Sequence, residues 1–585
     1  MKVDLILWNS IAERRRSPSD SFLENGLGTL QSCIQRHGFT VEVVDWARNS
    51  YWEKFTPRGL SRFNRMLGSG LLAAGRRGKG SGKLVLKAII PVFLLSQELT
   101  TVMQRRSMKN MLRGFAASVR DSHCRILGIK TWYGHAYTAA KALAGMVKKT
   151  APEVLIVAGG PHPSIYRDAV LEDSGFDVAV IGEGERALIH LLEMAYRIPT
   201  KTELLKAIAR EASQGVLKNV VYRDNDVVKI SPLDTADANT KIVPVYTTLD
   251  GKTRIHVVVD SIGCPWGKCH FCVHSYIYPH HSLRDPQAVV DEIEEIVSAD
   301  IGMFRFAGST SSLSHTVEIA RLLQERNIKI IYSFFARSEA GAADYAVYTT
   351  LVESYRLLVR SGLRAVFVGG EAADDDILKR VMGKGLAVED IVATIRAMKE
   401  ASVAEGLPLD IGLSLIYPSP TLGMLSLKEL KALNIQLVQR TAPDSVLVNP
   451  PAPFPGTKWF RESNAFGFEL GERFIKELLE YEYVLYKPSS LWPPIDLTME
   501  GMTFHRILEA CQDMRNALED LGFITEITDE HFLMMRTAGY RGREGARTFK
   551  RESLLDILSS DYRWITKMEN MVNIASREQA LLNSR

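Results

Sequence analysis

Three of the six cysteines of this chain lie within nine residues, in the segment GCPWGKCHFC. Cys264, Cys269 and Cys272 are spaced C-x4-C-x2-C, and short spacings of this kind suit thiolates that ligate separate corners of one iron–sulfur cluster. A structural zinc site closes its tetrahedron with four ligands, whereas a metal that binds a substrate keeps one position open. Three thiols therefore predict a cluster with one iron free of protein ligands.

Two other interpretations of the triad remain open. One is a zinc site completed by a nearby histidine, and the other is a chance group of buried thiols; the candidate histidines are His270, His274, His280 and His281. The run IHVVVDSI, residues 255–262, is apolar and β-branched and predicts a buried strand directly before the triad. A thiol-bearing loop at the end of a strand favours the cluster.

The other cysteines indicate the compartment. Cys33, Cys124 and Cys511 are scattered singly, which argues against a disulfide framework and for a reducing cytoplasm. The opening residues MKVDLIL predict a strand rather than a cleavable signal. The longest apolar run, residues 84–103, is interrupted by charged and polar residues, so we expect a cytoplasmic protein without a transmembrane segment.

The charge of the chain is unevenly distributed. Over 585 residues, 46% of them hydrophobic, the net charge is only +4, whereas residues 50–120 hold fourteen lysines and arginines against Glu53 and Glu98, a net charge of +12. Such asymmetry is typical of surfaces that bind nucleic acid or anionic membranes. No recognition motif is interleaved with the basic residues, and composition alone is weak evidence for nucleic-acid binding. We therefore favour a solvated helical insertion and do not expect the chain to bind nucleic acid.

The most apolar part of the basic segment is LVLKAIIPVFLL, residues 84–95. Basic flanks beside an apolar face favour binding at a bilayer surface. Pro91 is expected to break a helix that spans the stretch. We therefore expect the stretch to pack against the rest of the protein, and membrane-surface contact is not favoured.

A chain of this length is expected to form two to four domains. In residues 1–235, predicted strands alternate with helical patterns, and the strand candidates are residues 3–8, 40–45, 125–130, 154–158 and 178–181. This order predicts an α/β, Rossmann-like doubly wound parallel sheet, with residues 50–120 as a basic helical insertion. Ligands of such sheets bind beyond the carboxyl ends of the strands.

Two of the loops at those ends are rich in glycine: AGGPHPS, residues 158–164, and IGEGE, residues 181–185. Glycine lets a ligand approach the backbone closely, although tight turns also use it for structural reasons alone. The run from Ile126 to Glu193, which contains both loops, resembles the cobalamin-binding domain fused to radical S-adenosylmethionine enzymes. The resemblance implies cobalamin contacts from Trp132, Tyr133, Gly159, Gly160, Pro161, His162, Gly182, Glu183 and Gly184.

The first loop departs from the histidine-ligating members of that family. They carry an Asp-x-His-x-x-Gly loop after the first strand, and here residues 8–16 read WNSIAERRR, with no histidine. The resemblance implies that cobalamin binds with its own base displaced and no protein histidine on cobalt, with Trp132 or Tyr133 beneath the metal. A core position for Trp132 and a structural role for His162 remain open alternatives.

Residues 250–462 repeat the alternation of strands and helices. Six strand candidates are residues 255–262, 303–307, 329–335, 365–368, 410–416 and 445–448. Six such units predict a partial (βα)6 barrel whose chemistry lies at the carboxyl ends of the strands. The cysteine triad follows the first strand, at that end.

The motifs after these strands identify the family. GCPWGKCHFC, FRFAGST, ARSE, VFVGGEAADDDILKRVMGKG and VNPPAPFPGT together resemble a radical S-adenosylmethionine core. The triad of that family is usually C-x3-C-x2-C, and the extra residue here reads as an inserted Gly267, which can loop out without Cβ strain. With the first domain, the chain resembles the cobalamin-dependent radical S-adenosylmethionine enzymes.

This resemblance implies the cofactor contacts of the second domain. Cys264, Cys269 and Cys272 would ligate a [4Fe–4S] cluster whose fourth iron takes S-adenosylmethionine. The expected S-adenosylmethionine contacts are Phe271 near the adenine, Gly308, Ser309 and Thr310 near the methionine amino group, and Arg337 and Glu371 near the carboxylate and ribose. An interior ion pair between Arg337 and Glu371 is the alternative for those two residues.

Residues 465–585 show helical periodicity, and residues 491–495 are the expected linker. We expect a small, mostly helical C-terminal domain that covers the open side of the barrel. Tyr481, Tyr483, Trp492 and His505 are placed to reach a substrate pocket, although a helical core explains them equally well.

The resemblance implies an enzyme that transfers a methyl group from methylcobalamin to an unactivated carbon, less often a phosphorus, of a small-molecule or peptide substrate. In the usual reaction, one S-adenosylmethionine methylates the cobalamin, a second yields the 5′-deoxyadenosyl radical, and an external reductant supplies single electrons. One alternative keeps both cofactors but closes a ring or rearranges a skeleton without net methylation. The non-enzymatic alternative is a zinc-stabilised protein that binds polyanions through residues 50–120.

Overall fold

The first half of the chain forms one sheet in the computed structural model, which describes residues 3–76, 81–247, 249–308, 310–482 and 492–583, with the backbone alone for residues 75, 76 and 81–86. Its strands are β1 (Leu5–Asn9), β2 (Val41–Asp45), β3 (Ile126–Lys130), β4 (Leu155–Gly159), β5 (Val178–Val180), β6 (Val220–Asp224) and β7 (Val227–Ile230). They lie in the order β2-β1-β3-β4-β5-β6-β7. The parallel pairing of β1 to β5 confirms the doubly wound prediction, and the antiparallel β6–β7 hairpin was not anticipated.

Helices cover both faces of this sheet. They are α1 (Asn25–Arg36), α2 (Asn49–Trp52), α3 (Arg58–Arg76), α4 (Ser81–Ser122), α5 (His135–Thr150), α6 (Pro161–Tyr166), α7 (Asp168–Asp173), α8 (Glu185–Arg197) and α9 (Lys201–Ser213). Every residue of β1 is buried, as expected for a central strand with helices on both faces. The carboxyl ends of β1, β3, β4 and β5 therefore open at one common edge.

The helix break predicted at Pro91 is wrong. α4 runs for 42 residues with Pro91 inside it. A proline removes one backbone hydrogen bond and crowds the preceding turn, but Pro91 lies on the exposed side of α4, while the other side packs along α3. Asn64 Nδ2 donates to Thr100 Oγ1 at 2.8 Å, and Ser96 Oγ donates to Asn64 Oδ1. Packing against α3 thus stabilises a helix that the sequence alone argued against.

The second part of the chain forms the predicted partial barrel. Its strands are β8 (His256–Val258), β9 (Ser261–Ile262), β10 (Ser282–Leu283), β11 (Met303–Phe306), β12 (Ile331–Arg337), β13 (Leu363–Glu371), β14 (Asp410–Ile416) and β15 (Ser445–Asn449). Six of them form a parallel sheet in the order β15-β14-β13-β12-β11-β8, while β9 and β10 pair separately across the cysteine loop.

Helices alternate with these strands along the chain. They are α10 (His274–Ile277), α11 (Pro286–Ser298), α12 (Leu313–Glu325), α13 (Tyr345–Arg360), α14 (Val388–Glu405) and α15 (Leu427–Thr441). A π-helical turn, Ile377–Val381, follows β13. It leads directly into the loop that contacts the cysteine segment, described below.

The C-terminal region is mostly helical, as predicted, with one small sheet that was not predicted. Its helices are α16 (Lys458–Arg461), α17 (Phe474–Leu479), α18 (Phe504–Asp520), α19 (Asp529–Thr537), α20 (Gly542–Ser559) and α21 (Arg563–Leu581). The sheet contains β16 (Phe468–Leu470), β17 (Leu497–Met499) and β18 (Met502–Thr503). Of the expected linker at residues 491–495, Leu491 lies outside the described residues.

Helices α19 and α21 close the barrel and tie it to the first sheet. Asp529 accepts hydrogen bonds from Arg305 Nε (2.9 Å) and Ser333 Oγ (2.8 Å), so the start of α19 reaches β11 and β12. The buried Arg15, beyond β1, pairs with Glu569 of α21 at 2.8 Å. Within the described residues, no helix is both long enough and apolar enough to cross a membrane.

Candidate active site

A cavity of about 680 Å³ lies between the first sheet and the β8 edge of the barrel. On one side its walls are the loops at the carboxyl ends of β1, β3, β4 and β5. On the other side they are β8, β11 and the start of α19. The cavity therefore occupies the edge at which a doubly wound sheet binds ligands, and the barrel covers it.

The structure brings most of the predicted cobalamin contacts to this cavity. The residues that line it are Trp132, Tyr133, Gly159, Gly160, Gly182, Glu183 and Gly184. Pro161 and His162 do not line it. Both belong to α6, which turns away from the cavity after Gly160.

Trp132 lies on the cavity wall rather than in a core. Its indole Nε1 donates to Asn9 Oδ1 at 3.2 Å, and its backbone N–H donates to Ser10 Oγ at 3.3 Å. The Lys130 ammonium lies 4.4 Å from the centre of the ring. These contacts from β1 and β3 fix the indole as a flat wall of the cavity.

Tyr133, the next residue, is held by a cation. The Arg16 guanidinium lies 4.3 Å from the centre of the Tyr133 ring and donates to the Tyr133 carbonyl at 3.2 Å. Burial raises the pKa of the Tyr133 phenol. The phenol therefore stays neutral in the physiological pH range and faces the cavity as an aromatic surface.

Two of the loop glycines are required by their conformation. Gly160 has a φ of +98°, and a Cβ there would lie 3.3 Å from both Lys130 Cγ and the Thr131 carbonyl. Gly182 has a φ of +66°, and its N–H donates to Ser164 Oγ at 2.9 Å. Side chains would strain both turns and reduce the space for a ligand.

His162 is a structural residue. Its ring is buried, and Nε2 donates to the Leu479 carbonyl at 2.8 Å. The rings of Tyr137 and Tyr166 flank it at 5.0 and 4.9 Å. Burial lowers the pKa of His162 to about 4.

The histidine that does line the cavity comes from the C-terminal region and was missed by sequence reasoning. His531 Nε2 lies 3.2 Å from Ser17 Oγ, and Nδ1 lies 3.1 Å from Thr528 Oγ1. Both ring nitrogens are therefore already engaged. No local motif marks His531, because it reaches the cavity only through the packing of α19.

The cysteine loop has the conformation that its extra glycine predicts. Gly267 has a φ of +59°, a region that costs other residues about 1 kcal/mol or more. Gly263 begins the loop with a φ of +76°, and a Cβ there would lie 2.2 Å from the His280 carbonyl oxygen. Between them, Trp266 Nε1 donates to the Gly383 carbonyl at 2.8 Å.

The three thiols form one electrostatic group. All are half-buried. Burial, with smaller contributions from the neighbouring Cys269 and Cys264, raises the pKa of Cys272 to about 12. Burial also raises the pKa of Cys269, against the opposing effect of Lys384 and Arg337. Neighbouring thiols, two of which burial keeps protonated in the absence of metal, lie beside the cations Lys384 and Arg337. This arrangement fits the donor set of a cluster, since bound metal deprotonates coordinating thiols.

The zinc alternative finds no ligand set in the part of the chain that the structure describes. No group of three or more His, Cys, Asp or Glu side chains there is placed to hold a single metal ion. His270, one of the proposed fourth ligands, donates from Nδ1 to the Val381 carbonyl at 3.1 Å. That bond ties the cysteine loop to the π-helical turn.

The segment predicted to receive the methionine amino group begins at Gly308, just after β11. Gly308 N–H donates to Asp260 Oδ1 at 3.0 Å, and a Cβ on Gly308 would lie 2.2 Å from Ser261 Oγ. Thr310 Oγ1 lies 3.6 Å from Cys264 Sγ, which joins this segment to the cysteine loop. Ser309 lies outside the described residues.

Asp260, which accepts the hydrogen bond from Gly308 N–H, is a candidate site residue that sequence reasoning missed. Its side chain is fully buried beneath Gly308, and burial raises its pKa. The signal was available, because Asp260 is the one acidic residue in the apolar run IHVVVDSI.

Arg337 and Glu371 do not form the interior ion pair that was the alternative to cofactor contacts. Glu371 accepts from Lys384 Nζ at 2.7 Å, and both side chains are buried. Arg337 donates to the Lys384 carbonyl, and its guanidinium lies 4.5 Å from the centre of the Trp266 ring. Lys384 was not predicted, although the motif VMGKG places it between two glycines.

Glu371 has an uncommon backbone conformation, with a φ of +67° at the end of β13. Few residues other than glycine adopt it. Phe271, the predicted adenine neighbour, is half-buried with its ring 5.7 Å from that of Trp459. Phe271 belongs to the cysteine loop itself, and the Glu371 carboxylate is near enough to the loop to raise the pKa of Cys269.

The aromatic residues proposed for a C-terminal pocket lie elsewhere. Tyr481 packs against Trp492 at 6.3 Å and Phe504 at 5.8 Å, away from the cavity wall. His505 is exposed and lies 3.1 Å from Glu509. Tyr483 lies outside the described residues. The helical-core interpretation therefore accounts for Tyr481 and Trp492.

Two family models match the chain. The B12 binding domain matches residues 98–192, and the Radical SAM superfamily matches residues 258–410. The first range contains the loops after β3, β4 and β5, and the second contains the cysteine triad and the strands from β11 to β13.

Among curated proteins, two anaerobic magnesium-protoporphyrin IX monomethyl ester cyclases are similar to the chain. That of Cereibacter sphaeroides is 24% identical over 294 residues, 47% of this chain and 44% of the relative. That of Rubrivivax gelatinosus is 25% identical over 291 residues, 47% of this chain and 49% of the relative. The chain spans about half the length of these curated relatives.

Solved structures share the fold over most of the chain. The radical S-adenosylmethionine methyltransferase TsrM from Kitasatospora setae, with cobalamin and a [4Fe-4S] cluster bound, has a TM-score of 0.60 at 14% identity, covering 95% of this chain and 99% of that one. The cobalamin-dependent S-adenosylmethionine radical enzyme OxsB, with aqua-cobalamin bound, has a TM-score of 0.52 at 16% identity, covering 100% and 78%.

The matched domains and the geometry lead to one conclusion. The glycine loops that line the cavity lie in the B12-binding range, and the three thiols lie in the radical SAM range. The chain therefore combines a B12-binding domain with a radical SAM domain, the domain pair of cobalamin-dependent radical S-adenosylmethionine enzymes, and these two domains imply cobalamin, S-adenosylmethionine and a [4Fe–4S] cluster as cofactors.

Proposed function

We propose that this enzyme transfers a methyl group to an unactivated carbon of a small-molecule or peptide substrate. The observation that carries the proposal is the shared cavity. The glycine loops of the first sheet and the strands β8 and β11 of the barrel line the same space of about 680 Å³. On the barrel side the lining includes Val259 and Ala307, the sequence neighbours of Asp260 and Gly308, whereas the three thiols are not part of it. A substrate held there would lie against the glycine loops and beside the segment that begins at Gly308, as a transfer between the two cofactors requires.

The chain's own residues have distinct roles in this proposal. Cobalamin would supply the methyl group, and the cluster with S-adenosylmethionine would supply the one-electron chemistry. Cys264, Cys269 and Cys272 would hold the cluster. Trp132 and Tyr133 would face the corrin as an aromatic wall, backed by the cations Lys130 and Arg16.

On the other side, Gly308 and Thr310 would receive the methionine end of S-adenosylmethionine, with Ser309 between them in the sequence. The buried pair of Glu371 and Lys384 and the guanidinium of Arg337 would supply the polar contacts to its carboxylate and ribose. Phe271 would border the adenine. The reaction would also require an external one-electron reductant, and we propose a cytoplasmic setting.

A second candidate keeps the cofactors and closes a ring without net methylation. The similarity to the two cyclases favours it, but that similarity covers about half of each relative. The fold shared with the methyltransferase TsrM extends over nearly the whole of both chains. This difference in extent favours methyl transfer.

A substrate-free experiment separates the two candidates. The anaerobically reconstituted enzyme, loaded with cobalamin, is incubated with reductant and S-adenosylmethionine that carries a CD₃ group on sulfur. Methyl transfer predicts about one equivalent of S-adenosylhomocysteine per cobalamin and a CD₃ group on the recovered cobalamin by mass spectrometry. Enzyme without cobalamin is the control and should form neither. Formation of 5′-deoxyadenosine with no S-adenosylhomocysteine would favour the cyclase.

A further inference from the structure

The hairpin of α3 and α4 presents large apolar side chains to solvent. On α4, Leu95 is 73% exposed, Val102 60% and Leu99 52%; on α3, Met66 is 61% exposed. The sequence favoured packing of residues 84–95 against the rest of the protein, but of these only Phe93 is buried among the side chains that are described. Exposed apolar patches of this kind mark interaction sites.

The exposed side chains of α4 form one continuous stripe. Val92, Leu95, Leu99 and Val102 recur every three or four residues, which places them on one face of a helix. The opposite face carries the buried residues Phe93, Ser96, Thr100 and Gln104, which contact α3 and neighbouring elements.

The same stripe becomes basic toward the C-terminal end of α4. Arg106, Lys109 and Arg113 continue the spacing, and all three are exposed without an acidic partner among the described residues. From Val92 to Arg113 the stripe is roughly 30 Å long at 1.5 Å per residue. The pattern is therefore an apolar half followed by a cationic half on one surface.

Helix α3 repeats this arrangement. Phe63 and Met66 are exposed, and Arg58 and Arg62, on the side away from the hairpin tip, are exposed and free of acidic partners in the described structure. In contrast, Arg65 pairs with Glu552 at 2.8 Å and also with Asp556. Arg65 thus attaches the hairpin to α20, whereas Arg58 and Arg62 stay exposed among the described residues.

The sequence contains further basic residues between the two apolar stretches. They are Arg76, Arg77, Lys79 and Lys83. Among the described side chains of α4, two exposed residues are acidic, Glu98 and Asp121, and Asp121 pairs with Arg120 at 2.8 Å. The apolar residues are therefore bounded by cationic residues along the chain in both directions.

We propose that the outer face of the α3–α4 hairpin docks on an anionic lipid bilayer. The apolar half and the cationic half of the stripe match the two parts of such a surface, the acyl boundary and the anionic headgroups. Nucleic acid would match the charges but leave the apolar stripe in water. The absence of a helix able to cross a membrane, within the described residues, is consistent with attachment at the surface only.

Vesicle co-sedimentation of the full-length holoenzyme tests the proposal. At physiological salt, the enzyme is expected to bind vesicles of phosphatidylcholine with phosphatidylglycerol and to bind pure phosphatidylcholine at least about tenfold more weakly. The triple variant Arg106→Gln, Lys109→Gln and Arg113→Gln should lose about tenfold or more of the anionic-vesicle affinity. The triple variant Leu95→Gln, Leu99→Gln and Val102→Gln should lose binding to a similar degree.

Matched controls come from exposed residues elsewhere. Val403 on α14 is 81% exposed, and Arg506 on α18 has a side chain that is 74% exposed. Val403→Gln and Arg506→Gln should leave vesicle binding unchanged. Iron content and thermal melting of every variant report whether the fold is intact.

Three outcomes would overturn the proposal. Equal binding to both kinds of vesicle would remove the role of the charges. Unchanged binding of either triple variant would remove the role of the stripe. A change of oligomeric state in the apolar triple variant, without any effect on vesicle binding, would show that a second copy of the chain covers the patch instead.

Discussion

The indole of Trp266 lies so close to Gly385 that a Cβ on this glycine would come within 2.2 Å of the ring. The same indole donates to the Gly383 carbonyl at 2.8 Å and lies under the Arg337 guanidinium. The cysteine loop is therefore held in place by the loop after the π-helical turn, residues 382–385. Cluster binding should depend on that second loop as well as on the thiols.

Gly385→Ala tests this dependence. The added methyl group would collide with the Trp266 ring, and overpacking of this kind costs about 1–3 kcal/mol. Because Trp266 lies between Cys264 and Cys269, its displacement moves the thiols. We expect a severalfold lower iron content after anaerobic reconstitution, measured by iron analysis and visible absorption.

Gly406→Ala is the matched control. Gly406 has the same φ of +62° as Gly385, but nothing lies within 4 Å of the position its Cβ would take. This variant should lose about 1 kcal/mol or somewhat more of stability through backbone strain alone and keep its iron. Equal iron loss in the two variants would show that strain, rather than contact with Trp266, controls the loop.

The thiols themselves give a second prediction. Cys264→Ala, Cys269→Ala or Cys272→Ala should abolish reductive cleavage of S-adenosylmethionine while the chain still folds, because three thiolates are the minimum set for such a cluster. Cys33→Ala, Cys124→Ala and Cys511→Ala, at buried positions, should keep it. Formation of 5′-deoxyadenosine and the iron content measure the effect, and full iron content in a triad variant would contradict the ligand assignment.

The parts of the fold that repeat a local pattern were predictable. The apolar strands alternate with amphipathic helices, so both parallel sheets follow from the sequence, and the triad follows from its spacing. The β6–β7 hairpin is short and its outer strand is largely exposed, so its hydrophobic pattern was weak. Pro91 misled because the packing of α4 on α3 outweighs the local cost of a proline.

The residues that were missed reach the site through tertiary packing. Lys384 meets Glu371, and His531 meets Ser17, across 13 and 514 positions of the chain respectively. No local spacing encodes such pairs. His162 shows the opposite error. The motif around it correctly predicted that the loop after β4 lines the cavity, but the His162 side chain itself is buried in the core.

Lys384 and Glu371 provide a third prediction. Both side chains are buried, so Lys384→Met leaves the Glu371 carboxylate without its partner, at a cost of about 3–5 kcal/mol in the free energy of unfolding. The double variant Lys384→Met with Glu371→Gln should recover much of that loss, since no charge then remains unpaired. Urea denaturation checks this, and equal stabilities of the single and double variants would show that the pair is not coupled.

The cobalt environment gives a fourth prediction. Residues 8–16 contain no histidine, and the histidine that lines the cavity, His531, has both ring nitrogens engaged. Electron paramagnetic resonance of the cob(II)alamin form should therefore lack nitrogen superhyperfine splitting. His531→Ala should give the same spectrum as the unchanged enzyme. A three-line splitting that disappears in His531→Ala would identify His531 as an axial ligand.

Acid sensitivity gives the last prediction. Burial lowers the pKa of His162 to about 4 in the folded protein, against about 6.5 in an unfolded chain. The unfolded state therefore binds a proton first as the pH falls. Stability is fully present above about pH 6.5 and is lost progressively toward pH 4, by up to about 3 kcal/mol for a shift of this size.

His162→Gln removes this titration, so its free energy of unfolding should fall less steeply between pH 6.5 and pH 4, even though loss of the packed ring lowers its stability at pH 7. His531, whose pKa burial also lowers to about 4, continues to contribute in that variant, so part of the slope remains. His505→Gln, at an exposed side chain, is the control and should keep the original slope. The slope of the unfolding free energy against pH reports proton binding, whereas its value at pH 7 reports packing, so urea titrations at several pH values separate the two effects. An unchanged slope in His162→Gln would mean that burial does not hold the imidazole neutral.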